Sequence, residues 1–287
     1  MEISTIKLKE VWAAEQTILD EIDRVCSAAG LRYSLAYGTL IGAVRHKGFI
    51  PWDDDIDIMM PREDYEKLKS LWSSLASGDY VLDDCDQNPD AFNNFSKIRK
   101  DHTTFLQFEA ERSRNGHKGF FVDIFPADRV APSRLARKIQ FLDFALNLLF
   151  NRRSTSGTGG VVGFAEQALL SAVPKKYYHK LSLFFGRRSR RWNSNSASQY
   201  VMPSTIRDCK VFYPADLFER LERIEFEGKQ YFAVKDRDTA LRKEYGDYMV
   251  LPPEEERIWK HHPILIDFHR NYEELTEDAI DPFNTKT

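Results

Sequence analysis

Four aspartates, Asp53, Asp54, Asp55 and Asp57, fall within five positions of "YGTLIGAVRHKGFIPWDDDIDIMM", and an apolar run follows them. In a strand, alternate residues share a face, so Asp55 and Asp57 point one way and Ile56 and Ile58 the other. Asp53 joins the first face if the strand extends that far, and Asp54 opposes it. Two carboxylates held 4 Å apart repel by roughly 1 kcal/mol even in bulk water, so a compensating positive charge is expected. Oxygen ligands at this density suit a hard cation, Mg²⁺ or Mn²⁺. The plain alternative is a solvated acidic turn. A calcium loop fails on spacing: counting from Asp53, the sixth position is not glycine and the twelfth is not glutamate.

A second acid, Asp123, stands alone in "FVDIF" among Phe121, Val122, Ile124 and Phe125. A carboxylate inside a buried strand is costly unless it is paired or binds a metal. It is either a salt-bridged core aspartate or a third carboxylate brought to the metal site by a neighbouring strand. The Gly38–Thr39 turn, between a strand and a helix start, offers backbone N–H groups to a phosphate. Arg45, His46 and Lys47 add positive charge nearby. Lys97 and Arg99 in "SKIRK" share a strand face and could clamp phosphate oxygens, or simply be solvated. A phosphate cradle, two or three metal-binding carboxylates and basic clamps are the equipment of phosphoryl or nucleotidyl transfer.

The elements that must position these residues are legible in part. Residues 7–29 have a helical apolar face of Leu8, Val11, Trp12, Leu19, Ile22 and Cys26, ended by Gly30. "LRYSLAYG" reads as a short strand, "TLIGAVRH" as a short helix and "IDIMM" as a strand stopped by Pro61. A helix follows, with Glu63 and Asp64 at its start and Tyr65, Leu68, Leu71, Trp72 and Leu75 on one face. "YVLDD", "FSKIRK", "TTFLQF" and "GFFVDIFP" read as strands, the last closed by Pro126. "ADLFERLERIEFEG" reads as a helix and then a strand edge. "DTALRKEYGDY" is a helix ended by Gly246, and "LPPEEERIWKHHP" a proline-started helix.

The chain has 287 residues, 42% hydrophobic and 13% aromatic, enough to bury a substantial core. Its net charge of −3 gives no strong pull toward nucleic acid. Cys26, Cys85 and Cys209 show neither metal spacing nor a disulfide framework, which suits a reducing compartment. The start lacks an apolar signal core and no stretch is long enough to span a bilayer, so the cytoplasm is expected. Charge is unevenly spread: Arg134 to Arg191 holds 12 Lys/Arg against Asp143 and Glu166, a local +10. Its apolar stretches "IQFLDFALNLLF" and "FAEQALLSAV" alternate with "NRR", "PKKYYHK" and "GRRSRRW". Such a segment could lie on an anionic membrane surface, making the protein peripheral at its inner face, or could pack on the core with its bases solvated.

"YSLAYGTLIGAVRHKGFIPWDDDIDIMMPREDYEKL" resembles the signature of the LicD family of phosphocholine transferases, which is more distantly similar to the fukutin-type ribitol-phosphate transferases. "KIRKDHTTF" and "GFFVDIFPAD" resemble later blocks, and "EFEGKQYF", "EYGDYMVLPPEEER" and His261 a closing block. The resemblance implies a nucleotidyltransferase-like fold; with the elements read above, the expected class is α+β, a mixed sheet core with flanking helices and a basic helical insertion. The resemblance also implies a cytidine-diphosphate-linked donor. The superfamily's turn and Asp-x-Asp pattern maps onto Gly38 with Thr39, Asp55 with Asp57, and Asp123. One departure is Val234, where the family usually shows a proline.

From these features we expect a catalytic core over 1–130, a basic insertion over 131–200 and a C-terminal segment over 201–287 that packs on the core. The expected reaction moves a phospho-alcohol, phosphocholine foremost, from CDP-choline or another CDP-alcohol to a hydroxyl of a cell-surface glycan precursor such as lipopolysaccharide or teichoic acid. CMP is released. Asp55, Asp57 and Asp123 would bind Mg²⁺ or Mn²⁺ and carry catalysis, with Asp123 helping to deprotonate the acceptor. Gly38, Thr39, Arg45, Lys97, Arg99 and His261 would bind substrate. Tyr245 and Tyr248 either stack on a base or belong to the core. A metal-dependent glycosyltransferase and a non-catalytic nucleotide-binding module are the competing expectations.

Overall fold

The computed structural model describes residues 5–90, 93–107, 116–157, 159–195, 198–259 and 263–275. The long amphipathic helix α1 (Thr5–Ala29) leads into β1 (Ser34–Leu35), α2 (Tyr37–His46), β2 (Asp57–Pro61) and α3 (Arg62–Leu75). Strands β3 (Tyr80–Asp83), β4 (Ser96–Lys100), β5 (Thr104–Leu106) and β6 (Phe121–Arg129) follow. Three helices come next, α4 (Arg134–Arg152), α5 (Gly160–Ala172) and α6 (Tyr178–Ser189). Then come β7 (Tyr200–Val201), β8 (Leu221–Phe226), β9 (Lys229–Val234), α7 (Arg237–Tyr245) and β10 (Leu265–Asp267).

The central sheet runs β1-β2-β6-β4-β3, with β7 added beside the end of β6. Only the β2–β6 pair on that path is parallel, so the sheet is mixed. Helices α1 and α3 bury their apolar faces against it: Val11, Ile18, Leu19 and Ile22 from α1, and Tyr65, Leu68 and Trp72 from α3, join one core with Ile58, Ile98 and Ile124. Burial on this scale is the main favourable term in folding. The mixed α/β architecture with flanking helices agrees with the expected α+β class.

Three local expectations need correction. Strand β6 runs through Pro126 to Arg129. Pro126 pairs with Met60 of β2, but Asp123 N–H donates to the Ile56 carbonyl, so by alternation the Pro126 nitrogen faces the other side of β6, where pairing with β4 has ended at Ile124 and pairing with β7 starts at Asp128. Residues 215–220 form turns rather than a helix, and β8 and β9 make a hairpin. Its turn residues, Glu227 and Gly228, both have positive φ, 48° and 71°, the geometry that closes a two-residue hairpin. The helix expected after "LPPEEE" is a single turn at Glu254–Glu256.

A buried ion pair fastens the layers. Arg62, at the start of α3, donates from Nε and Nη2 to Asp128 at 2.8 and 2.9 Å, and Asn193 Nδ2 donates to the same carboxylate at 2.8 Å. Asp128 is 0% exposed, and its pKa lies below the ordinary value because the Arg62 charge and hydrogen bonds outweigh burial. The basic segment is stitched to the same end of β6. Gln140 on α4 donates to the carbonyls of Arg129 and Ser189 and accepts from Ala131 N–H. Asn147 on α4 donates to Ser182 on α6.

Candidate active site

The parallel register sets Asp57 directly opposite Asp123, on strands that neighbour each other in the sheet. Adjacent strands lie about 4.8 Å apart, so the two carboxylates project side by side from one face. Both are buried. The strand begins at Asp57, so Asp53, Asp54 and Asp55 precede it in an irregular segment and the simple alternation does not reach them. They nevertheless converge: carboxylate oxygens of Asp53, Asp54 and Asp55 come within 4.8 Å of one another. Burial pushes the Asp57 carboxyl well up, and the charges of Asp55, Asp123 and Asp53 push it further, while Lys97 opposes them.

The strand–helix turn is fastened to both ends of the acidic run. Thr39 Oγ1 accepts a hydrogen bond from Asp57 N–H at 2.8 Å. A Cβ at Gly38 would fall 2.4 Å from Asp53 Oδ2, so glycine is what lets Asp53 pack there. From the other side, Trp12 on α1 donates Nε1–H to the Asp53 carbonyl at 2.7 Å. Tyr37, which opens α2, adopts a φ of 45°, an uncommon conformation for a bulky residue.

The basic residues divide. Lys97 lies opposite Asp123 in the β4–β6 register and its Nζ donates to Asp123 Oδ1 at 2.5 Å, above the Phe121 ring. Arg99 is directed instead to the far edge of the sheet, to Asp83 on β3 and the Gly119 carbonyl. Arg45, near the other end of α2, donates to the Tyr248 carbonyl and to His46 Nε2. His261 lies outside the described residues. Tyr248 is buried and donates to Asp238, whereas Tyr245 is 40% exposed, its hydroxyl pushed up first by burial and then by the charges of Glu244 and Asp57.

Glu15 was not anticipated. It is 0% exposed, and neither carboxylate oxygen has a hydrogen-bond partner among the described residues. Burial pushes its pKa well up, and Asp54, Asp55, Asp123 and Asp53 push it the same way. The signal was available in the sequence: Glu15 fills the step between Trp12 and Leu19 on the apolar face of α1. Every ligand atom in this set is a hard carboxylate oxygen, the type Mg²⁺ and Mn²⁺ prefer, so the residues fit such an ion.

A Glu15→Gln variant is expected to stabilise the ion-free protein by about 1–3 kcal/mol, because the amide can donate to the surrounding carboxylates and carries no charge. The added stabilisation by Mn²⁺ is expected to shrink. Thermal melts with and without the ion check both.

Fold and site together define a mixed α/β domain that presents carboxylates from two adjacent parallel strands beside a strand–helix turn. Residues 30–145, which contain that turn and both strands, match the family described as LicD/FKTN/FKRP, nucleotidyltransferase domain. Over those residues the chain is similar to the LicD family, and the similarity to one relative extends over most of its length. It is 28% identical over 268 residues to the lipopolysaccharide cholinephosphotransferase LicD of Haemophilus influenzae, covering 88% of this chain and 95% of that protein. It is also 47% identical over 47 residues to the human ribitol 5-phosphate transferase FKRP, covering 16% of this chain and 10% of that protein.

Proposed function

We propose that the protein is a metal-dependent transferase that moves phosphocholine from a CDP-linked donor to a hydroxyl of a cell-surface glycan, with release of CMP. The observation that carries this is the placement of Asp57 opposite Asp123, inside the segment that matches the LicD family. The similarity to a lipopolysaccharide cholinephosphotransferase over most of both chains supports phosphocholine as the group moved.

Asp57 and Asp123 would hold the cation, with Asp55 beside them. A bound Mg²⁺ or Mn²⁺ supplies positive charge to the donor's diphosphate and eases the departure of CMP. The Gly38–Thr39 turn presents its N–H groups to the same diphosphate. Thr39 holds the start of β2 in place through Asp57 N–H. Asp123 takes the proton from the acceptor hydroxyl as it attacks phosphorus. Lys97, through its hydrogen bond, orients that carboxylate and offsets the growing charge on the phosphate.

The test is incubation with CDP-choline, CDP-ribitol or CDP-glycerol, Mg²⁺ or Mn²⁺, and a lipopolysaccharide-derived acceptor. CMP release with phosphocholine retained on the acceptor is expected from CDP-choline. If a nucleotide sugar is consumed instead, with release of a nucleoside diphosphate, the chemistry is glycosyl transfer and the proposal fails.

A further inference from the structure

The basic segment contains two apolar stretches, and the structure treats them oppositely. Helix α4 buries Phe144, Leu149 and Phe150 and is tied to β6 and α6. Helix α5 buries no residue at all. Val161 is 85% exposed and Phe164 77%, and Val162 and Leu169 are exposed beside them. Only Gly163, Glu166 and Leu170 are partly covered, a single narrow stripe. The one charged residue of the helix is in that stripe: Glu166 accepts from Ser156 N–H and Oγ–H at 2.7 and 2.8 Å and lies 3.7 Å from Arg152. The helix is thus inside out. Its charge faces the protein and its valine and phenylalanine side chains face solvent.

The surroundings are cationic. Lys175, Lys176 and Lys180 follow within one turn or two of the end of α5 and are exposed. Asp143, the segment's other acid, is buried on α4 beside Arg188 at 3.3 Å. Both acids of the +10 segment are therefore turned inward, while three of its lysines remain at the surface next to the apolar helix. An exposed apolar helix with an adjacent basic cluster matches an anionic bilayer surface, whose acyl boundary takes the apolar side chains and whose headgroups attract the lysines. Among the described residues no helix is long and apolar enough to cross a membrane, so the fit is to a surface.

We propose that α5 is a membrane-docking helix that inserts Val161, Val162, Phe164 and Leu169 into the interface of an anionic phospholipid bilayer, held there by Lys175, Lys176 and Lys180. The inference is independent of which group the enzyme transfers, because docking is read without turnover.

The experiment is flotation of the full chain with vesicles of phosphatidylcholine alone or mixed with equal phosphatidylglycerol. Wild type is expected to float with the anionic vesicles and to be released by salt. The exposed-site variant V161D/F164D should lose at least about tenfold in partitioning at unchanged melting temperature, and K175E/K176E should lose a similar factor. The proposal is overturned if wild type does not float with anionic vesicles, or if V161D/F164D floats as well as wild type. It is equally overturned if sedimentation equilibrium shows a dimer that V161D/F164D dissociates and vesicles do not compete with, since a second copy then covers the helix.

Discussion

Asp57→Asn is expected to lower transfer by about a thousandfold, roughly 4 kcal/mol in the activation barrier, while leaving the protein folded. The expectation of folding comes from the main chain: Thr39 is bonded to the Asp57 N–H, which the substitution keeps. Removing one of several like charges in a buried cluster also relieves repulsion. The expectation of lost activity comes from the register, because Asp57 and Asp123 are the only pair of acids set opposite each other on neighbouring strands among the described residues of the sheet. Asp123→Asn should match it and also release Lys97 from its partner. Steady-state CMP release and a urea melt, run on the same preparations, separate the two expectations. Ten per cent residual activity in a folded Asp57→Asn protein would contradict the proposed role of the carboxylates.

Arg62→Met should carry the largest cost in stability, about 3–5 kcal/mol, because it leaves Asp128 buried without its bidentate partner. The pH dependence has a definite sign. In the wild type, Asp128 is held below its ordinary pKa, so the pair contributes fully above the unfolded carboxylate value near 3.9 and its contribution is lost as pH falls through the folded value. In Arg62→Met that charge loses its main compensation, and the variant weakens as pH rises above about 4. The gap between the two proteins should therefore widen from pH 3 to pH 6 in urea denaturation. Adding Asp128→Leu should recover much of the loss.

How much of this was legible in the sequence depended on how local the cause was. Asp123 stood out because a lone carboxylate among Phe, Val and Ile has few explanations. The turn at Gly38–Thr39 and the apolar run after Asp57 were equally visible. The strand order was not, because nothing in a sequence records that β6 lies beside β2 while β3 sits at the edge. Arg99 shares the face of Lys97 by alternation, yet β3 supplies Asp83 to capture it, and that neighbour is known only from the sheet. Glu15 occupies the step between Trp12 and Leu19 on the apolar face of α1, so its burial was legible from the helical period, but the acids it faces across the fold were not. In "ADLFERLERIEFEG", Leu217, Leu221 and Ile224 satisfy a helical period, but the Glu227–Gly228 turn favours a hairpin and tertiary pairing with β9 decides the outcome.

The parallel joint between β2 and β6 also governs how the molecule is born. Its partners are residues 57 and 123, so everything between them must be synthesised and looped out before the two acids can meet. Loop closure of this kind slows folding more than it weakens the finished product. Another clasp is later still, since Ser34 Oγ receives Val234 N–H across 200 residues of chain. A ribosome that stalls before residue 123 would hold a polypeptide bearing the whole acidic run with no β6 to set beside it, so the approach of Asp57 to Asp123 waits on the synthesis of β6.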